Sequence, residues 1–345
     1  MRRHFWLVLV AGTLVACRER EAAAPPAPPH RPETPPTAAP ADVSHGEAPV
    51  GSTTEPPPVD PAAPPRTTAH LRRIRVTIRH AKVPISQGVT YDAWTFDGHV
   101  PGPVWRVTVG DTVDFTIVNQ APMPHSLDFH AAEIAPSRAY VNLMPHDSLH
   151  YRFVPRVAGA FMYHCGTAPV ALHIANGMYG AIIVDPREAR PPAKEFVFVQ
   201  SEFYTKTLPD STRTIDWDKL LGLAPDYVVF NGHEAEYAHH PIHVGVGEKL
   251  RLYVVNAGPN RFSAFHVVGA IFDRVYLDGS LTHPLEGVQT VTVPVGGGAI
   301  FETHLVEAGT YPFVSHAFAD ATKGAVGMFE AHISERPAGE TRPQR

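Results

Sequence analysis

A chain of 345 residues with 34 acidic against 29 basic side chains, a net charge of -5, carries no positive surplus for nucleic acid. Its length suits two or three domains. Its two cysteines, Cys17 and Cys165, exclude a disulfide framework if each has another task.

Residues 1–17 begin with the basic Met1 to His4, continue through an apolar run to Ala16 and end Leu14-Val15-Ala16-Cys17. The run is too short to span a bilayer comfortably and reads as a secretory signal. Its end resembles the lipobox of bacterial lipoproteins, in which the cysteine is acylated and becomes the mature N-terminus. Several acyl chains on Cys17 would anchor the chain stably where a single one would not. Arg18 after the cysteine points to the outer membrane, with the folded part facing the periplasm or the cell exterior. An ordinary cleaved signal with a chance cysteine is the alternative. Residues 18–66 hold 15 of the 36 prolines and no Phe, Trp, Tyr, Ile, Leu or Met. Such a stretch cannot bury enough apolar surface to offset its ordering entropy. It is expected to be a disordered tether, reaching on the order of 100 Å if extended.

From Thr67 onward, period-two alternation marks half-buried strands, as in Ile74, Val76 and Ile78 and in Val113, Phe115 and Ile117. Helical signal is scarce, and Asp216 to Leu221 is the best short candidate. The chain then repeats itself. Gly110 to Asn119 (GDTVDFTIVN) answers Gly247 to Asn256 (GEKLRLYVVN), and Ala158 to His164 answers Ala308 to His316. A period this long means one domain duplicated. The expectation is all-β: two Greek-key sandwiches over residues 67–190 and 191–336, joined near Pro186 to Pro192, with a flexible tail at 337–345.

The run Tyr163-His164-Cys165-Gly166, followed by His173 and Met178, is the core of a type 1 copper ligand set. Two imidazoles, a thiolate and a weak axial thioether suit copper cycling between two oxidation states. His125, in Met123-Pro124-His125-Ser126-Leu127-Asp128-Phe129-His130, is placed to supply the missing imidazole. His125 and His130 have opposite strand parity, as do His164 and Cys165, so each pair should face apart. His125 and Cys165 can then share one metal while His130 and His164 share another. The repeat offers His316 as a third ligand for the second metal. Asp128 lies on the face of His130, where it could exchange protons with a substrate or orient a ligand ring. His266 is the repeat counterpart of that segment. The remaining histidines read as solvated, among them the cluster His239, His240 and His243, along with His70, His80, His99, His146, His150, His233, His283, His304 and His332.

Together these residues resemble the copper-containing nitrite reductases, from about Leu71 to Ile333. The segments PHSLDFHAA, YHCGTAPVALHIANGMYG, DYVVFNGH and FHVVGAIFD and the region of His316 carry the likeness, and the short Cys-to-His loop is that of the lipid-anchored outer-membrane branch. The resemblance implies two tandem cupredoxin domains, a homotrimer and two coppers per chain. Type 1 copper would be held by His125, Cys165, His173 and Met178. Type 2 copper would be held by His130 and His164 of one subunit and His316 of its neighbour. Asp128 and His266 would be proton donors, Val268 would shape the nitrite pocket, and Thr290 would steady His266. The implied reaction is one-electron reduction of nitrite to nitric oxide, fed by a periplasmic cytochrome c or small cupredoxin. Leu172 departs from the many relatives with Trp before the type 1 histidine, which leaves the donor-docking surface open. A simple cupredoxin electron carrier would need only the type 1 set. A two-domain multicopper oxidase would need paired His-x-His motifs, and the chain has none.

Overall fold

The alternating stretches form strands. In Thr112–Asn119 every second residue is buried, with Val113, Phe115 and Ile117 turned inward. Leu71–Ser86 does the same with Ile74, Val76 and Ile78. The structure, a computed structural model, describes residues 59–278 and 281–333. The expectations for the signal with Cys17, for tether residues 18–58 and for the tail at 337–345 lie outside the described residues.

Among the described residues, four sheets make two sandwiches. The first packs the sheet of Val89–Phe96, Leu71–Ser86, Thr112–Asn119 and Ser148–Phe153 against a four-stranded sheet of Trp105–Thr108, Tyr179–Asp185, Gly159–His164 and Asp128–Phe129. The core between them includes Val76, Phe115, Phe129, Tyr163 and Cys165. The second packs the six-stranded sheet containing Lys194–Phe203, Leu250–Gly258 and Gly298–Thr303 against a five-stranded one. That partner sheet runs Ile242–Gly245, Val326–His332, Gly309–Ser315, Ser263–Val267 and Thr290–Val293, over a phenylalanine-rich core.

The two sandwiches meet through strands that are apolar on both faces. Tyr179–Asp185 is buried throughout: Ile182 and Val184 enter the first core, while Ala181 and Ile183 enter a layer between the sandwiches. Lys194–Phe203 mirrors it, with Phe196 and Phe198 in the second core and Val197 and Val199 in the shared layer. Continuous apolar runs in these strands follow from burial on both sides. Each such fully buried side chain contributes about 1.5–3 kcal/mol. The approach is close enough that a Cβ on Gly298 would stand 2.1 Å from the Ala160 carbonyl oxygen, so only glycine fits. An ion network closes the same seam. Arg106 binds Asp185 at 2.8 and 3.0 Å and Glu195 at 2.6 Å, and Arg251 binds Glu195 at 2.6 Å and Glu302 at 2.9 Å.

Two boundaries differ from expectation. The tether placed by composition up to residue 66 gives way to packed chain at Val59. The Ala63 N–H donates to the Glu195 carbonyl at 3.0 Å, the Val197 N–H to the Pro61 carbonyl at 2.8 Å, and Arg106 to the Pro64 carbonyl at 2.8 Å. A proline-rich segment lacks donors but accepts hydrogen bonds, so it can lie along a sheet margin. The division at 190/191 is also crossed. The hairpin Thr205–Thr207 and Arg213–Ile215 extends the first sandwich's sheet, with Arg213 opposite Tyr91, and so covers an otherwise open edge. The expected helix forms at Trp217–Leu221, capped by Asp216, whose carboxylate accepts from the Lys219 N–H at 3.1 Å.

Candidate metal centres

The repeat explains how each half steers its histidines. Asn119 ends Thr112–Asn119, Asn256 lies near the end of the equivalent strand Leu250–Gly258, and both are fully buried. Asn119 donates through Nδ2 to the Met123 and Leu143 carbonyls at 2.8 and 2.9 Å. Asn256 donates to the Arg261 and Val293 carbonyls at 2.8 and 3.0 Å. Each amide pins the loop that leads into the next histidine segment, His125 to His130 in one half and Ser263 to His266 in the other. Satisfied buried amides of this kind fix one backbone course.

His125, Cys165 and His173 converge in the first sandwich, all buried. His173 sits on the short helix Val170–Ala175, and Cys165 follows the strand Gly159–His164. The two Nδ1 atoms are 3.0 Å apart, and Cys165 Sγ lies 3.2 Å from His173 Nδ1 and 3.9 Å from His125 Nδ1. Donors about 2.0–2.3 Å from a common ion in a trigonal plane stand roughly 3.5 Å apart, so the set fits a copper ion. Met178 is fully buried in the same cluster, and its carbonyl accepts the Cys165 N–H at 3.0 Å. Burial, then the neighbouring His173 and His80 rings, pushes His125 down to about 3. Burial, then His80, pushes His173 down to about 4. Both rings are therefore neutral, as ligation requires. The Ser126 N–H points at Cys165 Sγ from 3.3 Å, a contact that stabilises a thiolate.

His80 belongs to this centre, although it reads as a solvated histidine in the sequence. Its Nε2 lies 3.3 Å from His125 Nε2, and its ring stacks on Trp94 at 5.3 Å. With Nδ1 of His125 turned to the metal position, its Nε2 carries the proton and donates to His80. The usable signal was parity, since His80 continues the inward series Ile74, Val76 and Ile78. Trp94 also meets His173 edge-on at 4.9 Å.

The second set lies on the other side of the Cys165–His164 peptide. His164 Nε2 and His130 Nε2 face each other at 3.1 Å. His164 Nδ1 is 2.9 Å from the Cys165 carbonyl and His130 Nδ1 is 3.0 Å from the Gly296 carbonyl. A carbonyl oxygen only accepts, so both Nδ1 atoms carry protons and both Nε2 lone pairs point at one another. That arrangement is repulsive unless a cation or a shared proton lies between them, so the pair could hold a metal ion. Burial first, with the His130 ring adding, holds His164 below the usual imidazole range. Asp128 pairs with His164 across the strands, its Oδ2 4.0 Å from His164 Nε2. The parity expectation holds: His125 is buried in one set and His130 is exposed in the other.

His316 is not among the donors that converge with His130 and His164 in this chain. It forms a second constellation with His266, their rings 5.4 Å apart. His266 donates from Nδ1 to the Gln289 carbonyl at 2.7 Å, which leaves its Nε2 free. Thr290, expected to steady this ring, stands opposite His266 in register, and the carbonyl of its neighbour Gln289 makes the bond. Val268 is 43% exposed beyond His266, and Phe318, 59% exposed, lies against His316 at 4.7 Å. An exposed imidazole among exposed apolar side chains is a surface suited to being covered.

A family model described as multicopper oxidase matches residues 77–189. A copper-containing nitrite reductase of Neisseria gonorrhoeae is 39% identical, over 98% of this chain and 90% of its own length. A solved copper nitrite reductase from Nitrosomonas europaea superposes with a TM-score of 0.70 at 36% identity, covering 77% of this chain and 96% of its own. A blue copper oxidase of the same organism reaches 0.63 at 22% identity, a likeness of fold alone.

Proposed function

The chain belongs to the copper-containing nitrite reductases, and from that premise we propose how its residues divide the work. Copper, when bound, supplies the one-electron chemistry and Lewis acidity by which nitrite, one electron and two protons become nitric oxide and water. His125, Cys165, His173 and Met178 hold the electron-accepting ion. His130 and His164 hold the ion at which nitrite reacts, with His316 of a neighbouring copy completing the set. Adjacent in the chain, Cys165 and His164 join the two ligand sets by a single peptide unit. Asp128 and His266 deliver the two protons, Val268 bounds the nitrite pocket, and Thr290 lines it beside His266.

The observation that carries this reading is the pair of opposed Nε2 lone pairs of His130 and His164, 3.1 Å apart. A simple electron carrier has no use for it. The missing third imidazole and the exposed His316 beside the half-buried His266 are complementary, which supports a closed ring of identical chains, and a homotrimer is the form we propose. The Leu14 to Cys17 sequence and the proline-rich segment after it support a lipoprotein held at the outer membrane and reduced by a periplasmic cytochrome c or cupredoxin. The test is copper content together with anaerobic turnover. Two coppers per chain after a chelator has removed loosely held metal, with nitric oxide formed as nitrite disappears under an artificial donor, is the expected result. One copper and no nitric oxide would reduce the protein to a carrier, and four with oxygen uptake would make it an oxidase.

A further inference from the structure

Away from both ligand sets, three more donors meet on the outer face of the second sandwich. His243 sits on Ile242–Gly245, which runs parallel to Val326–His332 with His243 opposite Glu330 and Gly245 opposite His332. Ile242, Val244, Phe329 and Ala331 turn into the core. Period-two alternation therefore puts His243, Glu330 and His332 together on the opposite face. His243, expected in a loop among solvated histidines, is instead held on a strand.

The spacing is that of a ligand set. His243 Nδ1 lies 3.0 Å from His332 Nε2 and 3.3 Å from Glu330 Oε2, and His332 Nε2 lies 3.8 Å from the same carboxylate oxygen. Tetrahedral ligands about 2.0–2.2 Å from an ion stand roughly 3.4 Å apart, and these separations bracket that value. A proton bridges one such pair at a time, whereas a divalent cation satisfies all three donors together. Nearby, Lys194 places its ammonium on the His243 carbonyl at 2.7 Å, with Glu248 at 3.8 Å, so its charge is engaged at the backbone.

We propose that His243, Glu330 and His332 form a surface site for a divalent transition cation of the zinc or copper(II) class, its fourth position open to water. Two imidazoles and a carboxylate are a zinc donor set. Copper(II) should bind the same donors more tightly than zinc. A chain loaded in excess copper would then carry a third ion, and because the site is exposed a chelator would strip that ion first. This inference is independent of the nitrite reading.

The test uses the copper-loaded protein, treated briefly with a chelator to empty the exposed site, dialysed and titrated with Zn2+ in a calorimeter. One equivalent of Zn2+ per chain should bind. His243→Ala and His332→Ala should each weaken it by about tenfold or more, at least the loss that follows removal of an outer partner. The type 1 absorption band and nitrite reduction should be unchanged, which shows the variants folded. If either alanine variant loses the band, His243→Gln and His332→Gln replace them with the same expectation. An isotherm unchanged in the His243→Ala/His332→Ala double variant, or no saturable Zn2+ binding by the wild type, would overturn the proposal.

Discussion

Replacing His80 with phenylalanine tests the role that the structure gives this residue. The ring stays over Trp94, but the acceptor for the His125 Nε2–H is gone. His125 is fully buried, and an unsatisfied buried donor costs about 1–3 kcal/mol. An acceptor on a ligating imidazole makes it a stronger electron donor, which favours the oxidised metal. If about 1 kcal/mol of that bond is realised only in the oxidised state, the midpoint potential rises by about 40 mV. Copper affinity at this centre should fall by about 10- to 100-fold. The assay is a spectroelectrochemical titration of the visible band, with His80→Gln as a control that keeps an acceptor. A lower melting temperature with an unmoved potential in His80→Phe would mean that His80 only packs, and the hydrogen-bond argument would fail.

Cys165→Ala should abolish the visible charge-transfer band and stop turnover with a protein donor; full donor-driven activity in that variant would refute the peptide route to His164. His266→Ala should leave both coppers in place and slow nitrite reduction by about 10²–10⁴, whereas unchanged steady-state rates would remove His266 from the mechanism. Burial alone would raise Glu195 and Glu302. For Glu195, hydrogen bonds from Arg106 and Arg251 override that and hold it below the ordinary carboxylate range. For Glu302, the charge of Arg190 and the hydrogen bond from Arg251 do the same. A depressed carboxylate contributes stability that is complete above its unfolded pKa, about 4.3, and is lost as pH falls through its folded value. Thermal unfolding should therefore drop steeply below about pH 4.3 in the wild type and less steeply in Glu195→Gln; parallel curves would show that the network does not couple to protons.

Much of the architecture was legible because burial writes a period into the chain. The alternation of Val113, Phe115 and Ile117 located a strand, and the match of Gly110 to Asn119 with Gly247 to Asn256 located the duplication, whose two asparagines pin equivalent loops. The convergence of His125, Cys165 and His173 was legible because soft and borderline donors cluster closely in sequence around Cys165. The ends of the packed region were not. Residues 59–66 look like the rest of a proline-rich stretch, and what orders them is the sheet margin they lie against, supplied by residues such as Glu195 and Val197. The hairpin at 205–215 likewise joins the other half for the sake of an open edge at Val89–Phe96. His80 and His243 escaped for a related reason: their partners, His125 and His332, are 45 and 89 positions away. No local pattern reports such a meeting, although the parity of His80 with Ile78 was a usable hint.

The most direct test of the reactive centre concerns where its third imidazole comes from. His130→Ala and His316→Ala chains, each inactive alone, can be co-expressed with distinct tags and isolated as mixed oligomers. If His316 completes the set of a neighbouring copy, every mixed ring of three brings an intact His130 to an intact His316 at one junction, about a third of the sites. Nitrite reduction and type 2 copper should then return to about that fraction of wild type. Mixed oligomers with no activity would place all three ligands in one chain and contradict the account.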